Sequence, residues 1–150
     1  MADNEIINHF LVNVFNGVLK AEERFVTKNY TDLTMREIHL IEAVCFCETR
    51  GKDNRSTAIA KRTGVTAGTL TVAVSMLEKK GYLYRQKDSK DKRIVRIYAT
   101  DKGKEVDAYH KKFHDAMVED VLGIMTEEEA VIFKRALGHI GIFFRDRYEK

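Results

Sequence analysis

Apolar residues recur at helical spacing toward both ends of the chain. From Glu5 to about Lys28 they fall three or four positions apart, and the same spacing returns from Thr34 to Glu48. It appears again from Asp101 to about Met125 and from Thr126 to about Tyr148. Apolar side chains at this spacing form one face of an amphipathic helix. The pattern therefore predicts four long helices, two on each side of a central segment.

The central segment predicts two short helices followed by a β-hairpin. Helical spacing runs from about Thr57 to Thr63 and from about Ala67 to Lys80, with a turn at Gly64 between them. Beyond Gly81, two extended runs flank a charged turn around Asp88–Lys92, and the second run alternates in polarity. Two short helices joined by a glycine turn and followed by a basic hairpin form a winged helix-turn-helix. A helix pair packed for stability alone is the alternative.

The second short helix is built from residues that form helices poorly. The run TGVTAGTLTVAV, which leads into it, is rich in threonine, valine and glycine, and these rank low in helix propensity. Leu70, Val74 and Leu77 share one face with Ala73. We expect Val65 to fill the gap between the two short helices. Packing must then hold this helix, which leaves its exposed face free to serve another purpose.

Charge is distributed unevenly along the chain. The net charge is +3, but residues 55–103 contain 12 Lys and Arg against 4 Asp and Glu, a balance of +8, while the rest of the chain carries −5. A basic module between acidic ends is typical of a protein that binds a polyanion through its centre. The sequence has no G-x-S-x-G motif, no phosphate-binding glycine loop and no Cys-x-x-Cys. We therefore do not expect an enzyme.

The sequence also bears on the compartment. No apolar run approaches the roughly 18 residues of a membrane-spanning helix, and MADNEIINHF has neither the basic nor the apolar region of a signal peptide. These features predict a cytoplasmic protein. Cys45 and Cys47 stand two positions apart on a predicted helix and so point to different faces. We expect two buried thiols rather than a disulfide, and a redox role for either stays open.

The stretch DSKDKRIVRIYATDKG carries a family resemblance. It resembles the wing of the MarR transcriptional regulators, in which Asp-x-Arg is followed by Leu-Thr-x-x-Gly. Here Asp91 and Arg93 match the first part, and Thr100 and Gly103 match the second. Ala99 stands where the pattern has leucine, which would loosen the packing beneath the wing.

The resemblance extends over nearly the whole chain and implies an arrangement for it. Residues 1–150 would form a single MarR-like domain, mostly α-helical with a small β-hairpin wing and about six helices. Residues 34–103 would form the winged helix-turn-helix lobe. Helices within residues 1–30 and 104–150 would join two copies into an obligate homodimer that presents two winged modules to double-stranded DNA.

Three stretches are similar, within the family, to the FabT-type repressors of fatty-acid synthesis genes: LTMREIHLIEAV, GTLTVAVSMLEKKGYL and YHKKFHDAMVEDVL. This similarity implies a repressor whose corepressor is an acyl carrier protein bearing a long acyl chain. A regulator that senses zinc or another metal, or a small phenolic or lipid effector, is the main alternative. A winged-helix module that binds only other proteins is a lesser one.

The exposed face of the second short helix predicts how DNA is read. The N-terminal residues of a recognition helix contact base edges in the major groove. This face carries no arginine, asparagine or glutamine before Lys79, so bidentate base contacts are scarce, and threonine and valine methyl groups suit thymine methyls. We predict an AT-rich inverted repeat that is read partly through its shape. The predicted base-reading residues are Thr66, Gly68, Thr69, Thr71, Val72 and Ser75.

The wing and the basic residues around it predict the remaining DNA contacts. Arg93 would enter a narrow minor groove, and Asp91 would orient it through a salt bridge. Lys90 and Lys92 flank it on the wing. The other candidates for phosphate contacts are Lys61, Arg62, Lys79, Lys80, Arg85 and Lys87.

Two further groups of residues are candidates for sensing, although we expect no obligatory cofactor. His110 and His114 lie one helical turn apart, a spacing that suits metal ligation. With Glu22, Glu23 and His39 they resemble the ligands of zinc-sensing members of the family, and a polar cluster without metal is the other interpretation. For a lipid or phenolic effector, the candidate pocket is lined by Phe10, Val14, Leu40, Val44, Phe113 and Met117.

Overall fold

The computed structural model describes residues 3–148 and confirms the predicted fold. Residues 1–2 and 149–150 of the predicted domain lie outside the described residues. Within residues 3–148, no helix is both long enough and apolar enough to cross a membrane. The elements are α1 (Asp3–His9, Phe10–Val14 and Phe15–Thr27), α2 (Met35–Thr49), α3 (Ser56–Thr63), α4 (Ala67–Lys79), β1 (Leu83–Lys87), β2 (Val95–Ala99), α5 (Asp101–Gly123) and α6 (Glu127–Tyr148).

The chain divides into two compact units, Met1–Phe113 and His114–Lys150, with the boundary inside α5. The first unit contains the helix-turn-helix, the hairpin and the buried core. That core is formed by apolar side chains of α1 to α4, the hairpin and the start of α5, among them Val26, Ile38, Ile41, Val44, Ile59, Leu70, Val74, Leu77, Ile97 and Val106.

Helix α1 is interrupted by a π-helical segment at Phe10–Val14. Its hydrogen bond runs over five residues, from the N–H of Phe15 to the carbonyl of Phe10. The extra residue rotates the following side chains by about 100° around the axis. The apolar pattern predicted a regular helix here, because side-chain spacing alone does not distinguish one wide turn from two ordinary ones.

Helices α2 and α6 each begin with a capping box. The hydroxyl of Thr34 accepts the N–H of Glu37 at 3.3 Å, while the Glu37 carboxylate accepts the N–H of Thr34 at 2.9 Å. Thr126 and Glu129 make the same reciprocal pair at 3.2 and 2.8 Å. Both boxes satisfy N–H groups that have no partner inside the helix.

The two cysteines are buried, as predicted. Cys45 and Cys47 are both free thiols in the core. Burial raises the pKa of the Cys45 thiol to about 12, and it also raises the pKa of Cys47. Both groups are therefore protonated at neutral pH, and a protonated thiol is a poor nucleophile.

The hairpin is fixed to the helix-turn-helix through the segment before α3. Its strands are antiparallel, and Leu83, Ile97 and Ala99 face the core. Asn54 donates its side-chain amide to the carbonyl of Ile97 and accepts the N–H of Ile97, both at 3.0 Å. Ala99, at the family's leucine position, is buried and pairs with Leu83.

The prediction for Val65 was wrong. Its side chain does not plug the space between α3 and α4 but is 38% exposed. It lines a cavity of about 510 Å³ between α2 and the helix-turn-helix, together with Leu40, Leu70 and Ala73. The backbone closes the turn instead, since the N–H of Val65 reaches the carbonyl of Ala60 at 3.0 Å.

Tyr82 ties the start of the hairpin to the loop before α2. Its hydroxyl donates to the Asp32 carboxylate at 3.0 Å, and Lys102 lies over its ring, 4.1 Å from the centroid. Lys80 adds a second link by donating to the Glu37 carboxylate at 2.8 Å. Burial, followed by the hydrogen bond to Asp32, raises the pKa of Tyr82 to about 12.

We expect this raised pKa to make part of the folding stability pH-dependent. The pKa in the fold lies above the ordinary value of 10.0, so the contribution is complete below pH 10 and is lost as the pH rises toward 12. Tyr82→Phe should lower the free energy of unfolding by about 1 kcal/mol at pH 8. Urea titrations of both proteins should show this difference shrinking between pH 10 and 12. A difference that grows over that interval would contradict the assignment.

Candidate nucleic-acid interface

The turn between α3 and α4 has the geometry of a helix-turn-helix. Gly64 ends α3 in the left-handed region with φ of 68°, a conformation that glycine adopts without strain. Thr66 is the N-cap of α4, and its hydroxyl accepts the N–H of Thr69 at 3.2 Å. A glycine stop followed two residues later by a threonine start fixes the angle between the helices.

Helix α4 is anchored as predicted, and its outer face carries mostly short side chains. Leu70, Val74 and Leu77 are buried. Val72 is 66% exposed, and the other predicted base-reading residues are exposed except Ser75, which is half-buried. Met76 was not among the predicted base-reading residues, yet it is 45% exposed on this helix. Its position four residues after Val72 is the signal that would have found it.

The hydroxyl groups of α4 are used inside the helix. Thr71 donates to the carbonyl of Ala67 and Ser75 donates to that of Thr71, both at 2.9 Å. Thr66 donates to the hydroxyl of Thr69, also at 2.9 Å. The exposed side chain of Thr71 therefore offers a methyl group and oxygen lone pairs, which suit thymine methyls and base amino groups, whereas the oxygen of Ser75 also accepts from Arg85 at 2.8 Å.

Gly68 provides a test of close backbone approach to DNA. A Cβ atom placed at this position would have no neighbouring part of the protein within 4 Å. Gly68→Ala should therefore raise the free energy of unfolding by a few tenths to about 1 kcal/mol, because alanine is the better helix former. If the backbone of α4 lies against DNA, the same change should weaken DNA binding. Thermal unfolding measures the stability, and a mobility-shift titration measures the DNA affinity. An unchanged affinity would show that the backbone at Gly68 does not lie against DNA.

Asp91 and Arg93 form the predicted pair on the wing. The Arg93 side chain donates from Nε at 3.0 Å and from a terminal nitrogen at 2.9 Å to the two carboxylate oxygens of Asp91. The main-chain N–H of Arg93 adds a third bond at 3.0 Å. Arg93 is nevertheless 91% exposed, and these bonds hold the pKa of Asp91 below its usual value. The guanidinium is thus both oriented and available.

A second carboxylate gives the tip of the wing its shape. Asp88 accepts the side chain of Arg96 at 2.6 Å and the main-chain N–H groups of Lys90 and Asp91 at 3.0 and 3.1 Å. These bonds lower the pKa of Asp88 to about 2. Arg96 in turn donates to the side-chain oxygen of Asn54 at 3.0 Å. The tip is therefore linked to the segment before α3.

The predicted phosphate contacts separate into exposed and engaged residues. Arg62 lies over the ring of Phe46 at 3.9 Å, and Lys80 and Arg85 are held by the carboxylates of Glu37 and Glu78. The members without these contacts are exposed, as is Arg62; they are Lys61, Lys79, Lys87, Lys90 and Lys92. Their exposure leaves these five predictions in place, whereas the three engaged residues also have contacts inside the protein.

Three of the predicted metal ligands lie together in the first unit. Glu22 accepts from His110 at 2.5 Å and from His39 at 3.4 Å, with His110 1% and His39 49% exposed. Burial raises the pKa of Glu22, but the hydrogen bonds from His110 and His39 outweigh it and lower the pKa overall. One ligand atom from each residue lies within 4.8 Å of the others. Glu23 is exposed, and His114 belongs to the second unit.

The predicted effector-pocket residues have different environments. Leu40 and Val44 are buried in the core, whereas Phe10 and Val14 are exposed at the ends of the π-helical segment. Phe113 packs near the ring of Phe25, and Met117 belongs to the second unit. Leu40 alone of these six borders the 510 Å³ cavity described above.

Comparison with known proteins places this architecture among transcriptional regulators. The profile of the MarR family matches residues 46–95. The chain is 31% identical over 121 residues to the HTH-type transcriptional regulator SarZ of Staphylococcus haemolyticus, covering 77% of this chain and 80% of that protein.

Solved structures agree with this placement. Streptococcus pneumoniae FabT, crystallised in complex with DNA, is 33% identical, with a TM-score of 0.85 over 96% of this chain and 99% of that one. MepR, a transcription regulator of the Staphylococcus aureus multidrug efflux pump MepA, is 19% identical with a TM-score of 0.68, over 89% and 94% of the two chains. MepR supports the fold alone.

Proposed function

The chain belongs to the MarR family of DNA-binding transcriptional regulators, and we propose that it is a repressor that binds an AT-rich inverted repeat as a homodimer. The observation that carries the proposal is the pairing of an anchored α4, whose outer face is methyl-rich, with the exposed and oriented guanidinium of Arg93. The first suits the major groove of a thymine-rich site, and the second suits a narrow minor groove. As a regulator of bacterial type it would act in the cytoplasm.

Exposed apolar faces support the homodimer. In the first unit, α1 exposes Ile6, Ile7, Phe10, Leu11, Phe15 and Leu19. In the second unit, α6 has no buried residue and exposes Val131, Leu137, Ile140, Phe143 and Phe144. A single chain rarely leaves so much apolar surface in water, and a second copy would cover it. Two recognition helices spaced about one DNA turn apart would then read the two halves of an inverted repeat.

We propose fatty-acid synthesis genes as the regulated set, with an acyl carrier protein bearing a long acyl chain as corepressor. Support comes from the likeness to FabT, which covers nearly all of both chains. The corepressor would act by favouring the separation of the two α4 helices that matches DNA.

Selection of bound fragments from genomic DNA tests this function. The purified protein should retain fragments that share an AT-rich inverted repeat, with fatty-acid synthesis genes beside them. Binding should weaken steeply with added salt, because phosphate contacts release counterions. Enrichment of a repeat beside other genes would support the proposed DNA-binding regulator but contradict its control of fatty-acid synthesis genes. Absence of any salt-dependent DNA binding would favour a winged-helix module that binds proteins instead.

Metal sensing is the second candidate function, and the cluster of Glu22, His39 and His110 favours it. Two imidazoles and one carboxylate are donors that zinc accepts, and the exposed side of His39 leaves a further position open to water. Bound zinc would hold α1, α2 and α5 together by its charge. The same residues are also joined by hydrogen bonds from His110 and His39 to Glu22 without metal.

Calorimetry with zinc and chelator-treated protein distinguishes these two states. A sensor should bind about one zinc per chain and change its DNA affinity on doing so. His39→Ala is the matched variant, because this half-exposed residue can be removed with little disturbance of the core, and it should lose the binding heat. If zinc produces no binding heat with the unmodified protein and no change in its DNA affinity, metal sensing is excluded.

A further inference from the structure

We propose that Arg85 and Glu78 lock the recognition helix to the wing, so that the two DNA-contacting elements move as one rigid body. The proposal rests on the DNA-binding function proposed above and deepens it. It makes Arg85 a positioning residue, in place of the phosphate contact predicted from its charge.

The first half of the lock joins β1 to the end of α4. The main-chain N–H of Arg85 donates to one carboxylate oxygen of Glu78 at 2.8 Å, and a terminal nitrogen of its guanidinium donates to the other oxygen, also at 2.8 Å. Both side chains are about 30% exposed. Because one carboxylate receives both backbone and side chain of the same residue, it fixes the strand as well as the guanidinium.

The second half of the lock joins Arg85 to the middle of α4. The other terminal nitrogen of Arg85 donates to the carbonyl of Thr71 and to the hydroxyl of Ser75, both at 2.8 Å. Thr71, Ser75 and Glu78 lie on one face at spacings of four and three residues, a span of about 10 Å along the helix axis. Arg85 therefore holds two turns of α4, including the peptide that carries Thr71 and the neighbouring Val72.

The lock connects to the pairs that shape the wing. Arg96 links the tip, through Asp88, to the segment before α3, and Arg93 is held at the tip by Asp91. Polar links thus run from α4 to β1 and, at the other end of the hairpin, from its tip to the segment before α3. A displacement of α4 would carry Arg93 with it, so the major-groove and minor-groove contacts would form and break together.

The sign of one substitution separates this role from simple electrostatics. Glu78→Gln removes a negative charge near the DNA-facing surface, so charge alone predicts tighter binding. The lock predicts weaker binding, because a neutral amide cannot accept both charge-assisted bonds from Arg85. Arg85→Lys keeps the positive charge, but one ammonium cannot span the Glu78 carboxylate and the Thr71 carbonyl. A phosphate contact would survive that change, whereas the lock would not.

The experiment measures dissociation constants for two duplexes over a series of salt concentrations. One duplex is the strongest binder selected from a random library of about 20 base pairs, long enough for two half-sites, and the other has random sequence. Glu78→Gln and Arg85→Lys should each reduce the ratio of the two affinities by roughly tenfold, with the salt dependence unchanged. Circular dichroism confirms that each variant is folded, and if one fails to fold the other decides.

Lys87→Ala is the matched control, since this exposed lysine lies two residues along β1 on the same side. It should weaken binding to both duplexes equally and lower the salt slope by about 2, because the dimer would lose one phosphate contact from each protomer. Tighter or unchanged operator binding by Glu78→Gln, or an unchanged affinity ratio in Arg85→Lys, would overturn the lock. Failure of the unmodified protein to prefer the selected duplex would instead overturn the proposed function.

Discussion

Arg93→Ala is expected to weaken operator binding by roughly a hundredfold while the dimer stays intact. A base or groove contact by arginine contributes about 1–3 kcal/mol, and a homodimer would lose two of them. Arg93 is 91% exposed, and its contacts within the protein are with Asp91, so the fold should not suffer. A mobility-shift titration measures the affinity, and sedimentation measures the oligomeric state.

Two matched variants show whether orientation matters as well as charge. Lys92→Ala removes a neighbouring exposed positive charge and should cost only a few-fold, equally on all sequences. Asp91→Asn keeps Arg93 but removes the negative charge of Asp91 and one of the two oxygen atoms that accept from the guanidinium. It should weaken operator binding even though the protein becomes more basic. Unchanged affinity in Arg93→Ala would contradict the assignment of the wing.

Gly103→Ala is expected to destabilise the fold by roughly 3 kcal/mol or to prevent folding. A Cβ at this position would lie 2.3 Å from the carbonyl oxygen of Tyr82 and 3.4 Å from the Cβ of Ala99. The Tyr82 carbonyl cannot easily retreat, because it accepts both the N–H and the hydroxyl of Thr100, at 3.0 and 3.1 Å. Overpacking against a fixed backbone carries a large cost.

Gly68→Ala is the control for this effect, because it makes the same chemical change in a helix with open space around it. Chemical denaturation should show Gly68→Ala at or above the unmodified stability and Gly103→Ala far below it. Equal stabilities for the two variants would show that the start of α5 can move away from the hairpin, and the account of the T-x-x-G pattern would then be wrong.

The helix-turn-helix was predictable because its signals are local. Gly64 ends a helix, Thr66 starts the next, and Leu70, Val74 and Leu77 repeat at helical spacing. Each of these depends on residues within one or two turns, so the sequence alone defines them. The predicted element boundaries accordingly agree with the structure to within about two residues.

Features that depend on distant parts of the chain were harder to predict. Val65 is apolar whether it fills a gap or lines a cavity, and its sequence neighbours are the same in both cases. The need for glycine at position 103 depends on the carbonyl of Tyr82, 21 residues away in the sequence. Matching a family pattern located this glycine without giving its physical reason.

The half-buried charge of Arg85 and the buried charge of Glu22 are both indicated by their positions in the sequence, although the role of Arg85 was missed. Arg85 shares the side of β1 that carries the buried Leu83, and a charged residue on the inner side of a strand needs a partner. Glu22 continues the apolar stripe of α1, four residues after Val18 and four before Val26, which is buried. Both positions indicate a buried or half-buried charge. The sequence had already grouped Glu22 with His110, whereas only the fold identifies Glu78 as the partner of Arg85.

The structure explains why a recognition helix can be built from threonine, valine and glycine. Three buried residues hold its inner face, and Arg85 holds its backbone from the wing. The hydroxyl hydrogens of Thr71 and Ser75 are satisfied within the helix. Low helix propensity is thereby offset by tertiary contacts, and the outer face can suit DNA instead.

The most direct test of sequence-specific DNA reading by α4 and the wing is the affinity of the unmodified protein for the selected and random duplexes as salt is raised. We predict that log K falls linearly with log salt, with a slope on the order of −5 for a dimer that uses about half of its exposed basic residues. The selected duplex should bind at least about a thousandfold more tightly than the random one at physiological salt. Equal affinities for the two duplexes, or binding that does not respond to salt, would contradict it.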